Sequence, residues 1–128
     1  MKTTNIIESA NGVIKSVASQ LRNADKEYHS ISSVLKDIQR SALLKAGYSE
    51  VFAAVGIDVN AGKITPAEFF ARVHDTLKAK DKKGAEYVGI WGMKKQDDGT
   101  QTPVLRKVTA WTPRKLFLVL AQSIEASK

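Results

Sequence analysis

Cysteine is absent from this chain of 128 residues. That excludes a disulfide framework, a thiol nucleophile, an iron–sulfur centre and any Cys-based zinc site. Histidine occurs only twice, at His29 and His74, and neither has a metal-ligating residue four positions on. A surface or capping role is expected for both. Long apolar runs are lacking as well. The longest, Leu116 to Ala121, spans six residues, against the ~20 that a membrane-crossing helix requires. Near the start, Glu8 interrupts the apolar pair Ile6-Ile7, so no secretory apolar region is read there. A cytoplasmic protein with no membrane partner is the expectation.

Motifs of catalysis are missing too. The chain has no Gly-rich phosphate loop, HExxH or GxSxG. The carboxylate pair Asp97-Asp98 precedes Gly99, where a tight turn explains it. These absences point to a non-enzymatic protein with no catalytic residues, cofactor or metal. The segment Asp58 to Phe69 resembles an EF-hand loop in its acidic start, its Gly-x-Ile and its Glu-Phe entering a helix. Its Gly62 falls at position five and Glu68 at eleven, where such a loop needs positions six and twelve. A capped helix start accounts for the same residues.

What the chain does have is a long helical pattern. Stepping by seven from Ile7 gives Ile14, Leu21, Tyr28, Leu35 and Ala42; from Ala10 it gives Val17, Ala24, Ile31, Ile38 and Lys45. All but Lys45 are apolar, which is an a/d seam of nearly six heptads. One helix over 4–46 fits. So does a helical hairpin broken within Asn23–Ser33, with Ser30 as a new N-cap. Residues 1–46 are read as an arm or hairpin, with Gly47 closing it, and 47–128 as the compact domain. The seam residues Ile7, Ile14, Val17, Leu21, Tyr28, Ile31, Leu35 and Ile38 are candidates for a homo-oligomer or partner interface.

Beyond Gly47 a short helix is expected over 49–55. Thr65-Pro66 with Glu68 is a capping box that should open a helix over 66–80, with Phe69, Phe70, Val73 and Leu77 inward. Strands are expected over 86–95 and 102–111, joined by Asp98-Gly99 as a two-residue turn. That turn would set Met93 opposite Val104, Trp91 opposite Arg106 and Gly89 opposite Val108. Thr112-Pro113 then opens a last helix, whose apolar run suits a core or interface position. The fold class is α+β, mostly α. Its order of helix, helix, hairpin is also that of a winged-helix domain.

Charge is the remaining signal. The chain has 20 Lys and Arg against 13 Asp and Glu, a net charge of +7. Between residues 78 and 115 there are ten basic and four acidic residues, so nearly all the excess lies on and around the hairpin. Lys82, Lys83, Lys94, Lys95, Arg106, Lys107, Arg114 and Lys115, with Trp91 among them, form the candidate binding set. Cations neutralise phosphates and aromatics stack on bases, so DNA or RNA is the first partner expected. Arg114 and Lys115 stand in the first turn of a helix, where they oppose its dipole but could hold a phosphate. The alternative is a protein–protein module, an assembly subunit or an inhibitor of a larger machine such as a phage encodes. In that case the same patch docks on an acidic protein surface.

Overall fold

The computed structural model describes residues 26–128, together with Ile7, Glu8, Gly12 and Lys15. The seam positions Ile14, Val17 and Leu21 lie outside the described residues. The fold is α+β and mostly α. In chain order the described elements are α1 (Ile31–Arg40), α2 (Ala42–Ala54), a 3-10 turn (Val59–Ala61), α3 (Pro66–Arg72), a second 3-10 turn (Asp75–Leu77), β1 (Lys78–Lys80), β2 (Glu86–Lys95), β3 (Gln101–Lys107) and α4 (Pro113–Ala126). The strands form one antiparallel sheet in the order β1-β2-β3.

A single helix running to residue 46 is ruled out. Lys26 to Ser30 are not helical, and Tyr28 instead exchanges backbone hydrogen bonds of 2.7 and 3.1 Å with Trp111. Ser30 caps α1 by accepting from the Ser33 N–H at 3.2 Å. Ser41 then has an extended backbone, ends α1, and caps α2 through the Leu44 N–H. The two short hydroxyl residues win because their side chains satisfy the N–H groups that a new helix start leaves open. Ile31, Leu35 and Ile38, expected on a seam between helices, are buried together with Val34 in the chain's own core. The division expected after residue 46 therefore falls inside α2, and the core runs across it.

Gly47 does not end a helix. It lies inside α2, where glycine costs about 1 kcal/mol. The burial of Tyr48, Val51 and Phe52 just beyond it outweighs the cost. The helix stops at Gly56, which takes φ 81°. The Gly56 N–H donates to Ala53 O and the Ile57 N–H to Phe52 O, the paired bonds of a Schellman end.

Thr65 is the N-cap, its Oγ1 accepting from the Glu68 N–H at 3.1 Å, but the reciprocal bond from the Thr65 N–H to the Glu68 side chain that would complete a capping box is not formed, and α3 is seven residues long rather than fifteen. Val73 takes an extended backbone, the His74 N–H donates to Ser123 Oγ, and Lys78–Lys80 pair with Glu86–Val88. Phe69, Val73 and Leu77 are buried as expected, while Phe70 is half-buried. A seven-residue α3 whose Phe69 is spent on the core leaves little of the long recognition helix that the winged-helix order calls for.

β2 has the expected bounds, but the hairpin register differs by one. Gly89 pairs with Lys107, Trp91 with Leu105 and Met93 with Pro103. The loop is the reason. The Gln96 N–H donates to Thr100 O, the Gly99 N–H to Gln96 O, and Gly99 takes φ 88°. This is a three-residue loop with a left-handed glycine rather than a two-residue turn. Arg106 therefore pairs with Ile90 and not with Trp91, since one step of register exchanges the faces. The β1–β2 loop repeats the pattern, with the Asp81 N–H donating to Ala85 O, the Gly84 N–H to Asp81 O, and Gly84 at φ 84°. β3 ends at Lys107 rather than 111, and Pro103 sits on an edge strand, where its missing N–H is tolerated.

α4 is central. Leu116, Phe117, Val119, Leu120 and Ala121 are all buried within the chain, which explains the longest apolar run. Phe117 meets the Tyr48 ring edge-on at 5.1 Å, and the Tyr48 hydroxyl donates to Pro113 O. Near the other end, the Gln122 side chain, 1% exposed, accepts from the Trp91 N–H and donates to Trp91 O, both at 2.9 Å.

Replacing Gln122 by Leu keeps the volume but strands both main-chain groups of Trp91. The expected cost is about 1–3 kcal/mol, read as a lower urea midpoint at unchanged slope. Burial also pushes the Tyr48 phenol far above its ordinary value. Its folded-state pKa is raised, so its contribution to stability is complete below about pH 10, the unfolded value, and falls as pH rises beyond it. Alkaline unfolding of the wild type should therefore steepen above that pH, and Tyr48→Phe should flatten the dependence in denaturation curves taken across it.

Candidate functional site

A cleft of about 710 Å³ opens between the hairpin and the first half of α4. β2 contributes Ile90, Trp91, Gly92 and Met93; β3 and its exit contribute Arg106, Lys107 and Val108. Thr112, Arg114, Lys115 and Leu118 come from the start of α4, and Ile7 completes the lining. Ile7 is 8% exposed. The lining thus combines apolar side chains with four cations and, among the described residues, no carboxylate.

The expected binding set divides in two. Trp91, Arg106, Lys107, Arg114 and Lys115 line the cleft. Lys82 and Lys83 sit in the β1–β2 loop, and Lys94 and Lys95 at the far end of β2. These two pairs lie at opposite ends of a ten-residue strand, roughly 30 Å apart at ~3.3 Å per residue. Both pairs are exposed and stand outside the cleft.

Each cleft residue has its own local ties. Trp91 is the most constrained, because its main chain is held by Gln122 and its indole N–H donates to Thr76 O at 3.0 Å. Lys107 lies 3.8 Å from Asp81 Oδ2 and 5.6 Å from the centre of the Tyr87 ring. Lys115 Nζ donates to Ala110 O at 3.3 Å. Arg106 and Arg114 are exposed, and no ion pair is formed by either among the described residues. Thr112 Oγ1 accepts from the Lys115 N–H at 3.1 Å, and Pro113 has no N–H. The start of α4 thus offers few open backbone donors, and its attraction for an anion comes mainly from side chains.

Other segments singled out in the sequence have structural employment. Asp58 Oδ1 accepts from the Asn60 N–H at 2.8 Å. His74 Nδ1 lies 3.2 Å from the Thr76 N and caps the second 3-10 turn. The Thr100 hydroxyl, and then its N–H, hold the Asp98 carboxyl below the usual carboxylate range. Among the described residues, no helix is long and apolar enough to cross a membrane. The contributions that sequence reading missed are those of Ile90, Gly92, Met93, Val108, Thr112 and Leu118. The one-residue register shift hid which hairpin residues share a face, and nothing in the pattern announced that α4 would lie along β2.

Neither a protein-family model, nor a curated protein, nor a solved structure matches this chain.

Arg114 stands in the first turn of α4, where a cation opposes the helix dipole. Arg114→Glu should therefore stabilise the fold by about 0.3–1 kcal/mol at low ionic strength. Thermal melts should show a gain in Tm that shrinks as salt is added.

Proposed function

We propose that the protein is a small nucleic-acid-binding protein without catalytic activity, and that the cleft beside the hairpin is its contact surface. The reading is carried by one observation: Arg106, Arg114 and Lys115, from two separate elements, line one cleft whose lining holds no carboxylate among the described residues, with Lys107, which faces Asp81, at its edge. Grouping like charges costs stability unless something anionic answers them. A run of phosphates is such an answer, and arginine and lysine are the side chains that meet phosphate oxygens. The exposed Lys82, Lys83, Lys94 and Lys95 extend the positive surface to both ends of the sheet and would meet phosphates further along the strand.

The alternative of a protein-docking module loses one of its arguments and part of a second. The apolar last helix is covered by the chain's own core, as are Ile31, Leu35 and Ile38.

Binding of DNA or RNA should weaken steeply with salt. Replacing Arg106, Lys107, Arg114 and Lys115 by Gln should flatten the log–log salt slope by about 0.7–0.9 for each phosphate no longer neutralised. Fluorescence anisotropy at several salt concentrations reads both effects. No binding of either polymer at low salt would sink the reading.

A further inference from the structure

Gly92 is a glycine that neither packing nor backbone conformation requires. It lies inside β2 and lines the cleft. It is not among the glycines with positive φ, which are Gly56, Gly62, Gly84 and Gly99. A β-carbon at Gly92 would meet no atom within 4 Å, whereas one at Gly89 would lie 2.8 Å from the Arg106 carbonyl oxygen and 2.8 Å from Leu105 Cγ. Gly89 is thus demanded by the neighbouring strand, and Gly92 is not. A glycine inside a strand weakens it and often marks a place where a ligand comes close to the backbone.

The cleft that Gly92 lines is also lined by Ile90, Val108 and Leu118, with Arg106, Arg114 and Lys115 among them. Ile90 and Arg106 share Gly92's face of the sheet, whereas Met93 and Lys107 belong to the other. The cleft volume of about 710 Å³ falls within the ~300–1,000 Å³ of small-molecule sites. A duplex presents phosphates outward and keeps its base faces stacked, so its backbone gains nothing from an apolar recess. An unpaired base has an apolar face to bury and a phosphate on each side.

We propose that the cleft takes an unpaired base of a single-stranded nucleic acid against the Gly92 backbone, with the flanking phosphates on Arg106, Arg114 and Lys115. The proposal rests on the nucleic-acid reading above and names the form of its ligand. A side chain at position 92 would fill the recess while leaving every charge in place.

The test is anisotropy at fixed low salt with a fluorescein-labelled oligothymidylate, a labelled blunt duplex of equal length and a labelled polyglutamate peptide. Wild type should bind the single strand at least about tenfold tighter than the duplex, and Gly92→Leu should weaken single-strand binding about tenfold, the size of one base-stacking interaction. Its duplex affinity and its Tm should hold. If Gly92→Leu melts lower than wild type, Leu118→Gln takes its place, changing the polarity of the lining without adding charge, and a weakening confined to the single strand is again expected. Equal affinity for duplex and single strand, or single-strand binding unmoved by these variants, overturns the base-in-cleft proposal and leaves nucleic-acid binding standing. Polyglutamate binding tighter than oligothymidylate, or no binding of either polymer, overturns both.

Discussion

The hydrogen bonds between the Gln122 carboxamide and the main chain of Trp91 hold the sheet to the helices. β1 covers only Glu86 to Val88 of β2, so from Gly89 onward that edge of β2 has no strand beside it among the described residues. At Trp91 the Gln122 side chain does a neighbouring strand's work, accepting from the N–H and donating to the carbonyl. A carboxamide has one acceptor and one donor end at this spacing, and a buried main-chain pair needs both. Apolar contacts alone would let a helix slide along a strand. This pair of directional bonds sets where α4 lies along β2, and the cleft opens on the N-terminal side of it.

The same helix is held near its other end. The Tyr48 hydroxyl donates to Pro113 O, and the Tyr48 ring packs against Phe117. Between these anchors the apolar residues of α4 fill the core shared by α1, α2 and α3. The wall that carries Arg114, Lys115 and Leu118 is therefore mounted on a rigid element rather than on a loop. That rigidity matters for binding, because ordering a mobile wall would consume part of the binding free energy.

Much of this architecture was legible in the sequence where a local side chain decides the local backbone. Ser30, Thr65 and Thr112 cap helices as their types and followers imply, and β2 has the bounds its composition suggested. The failures share another cause. Gly47 is helical because burial of Tyr48 and Phe52 outweighs its propensity. Lys78–Lys80 form a strand because β2 offers them a ladder, although a helical period continues through them. The hairpin register depended on whether Gly99 closes a two- or a three-residue loop, and Asp98-Gly99 is compatible with both. In each case a tertiary partner chose between local options of similar energy. Of the site, the cations could be read but not their grouping. Four line one cleft through register and helix placement, Lys107 from the face turned to Asp81, and four are distributed to the ends of β2.

Where a sequence breaks local rules without a packing reason, function is the usual beneficiary. Most irregular choices in this chain have such a reason. Gly89 avoids the Arg106 carbonyl, Gly84 and Gly99 supply positive φ, and Pro103 sits on an edge strand. Among the exceptions are the open Gly92 inside β2 and the cation Arg114 in the first turn of α4. They come from two different elements and line the same cleft. One leaves space and the other concentrates positive charge, each at a cost to the free protein. An anionic ligand with a flat apolar part would use both, and their coincidence is what favours a recess for a base over a surface that only attracts phosphate.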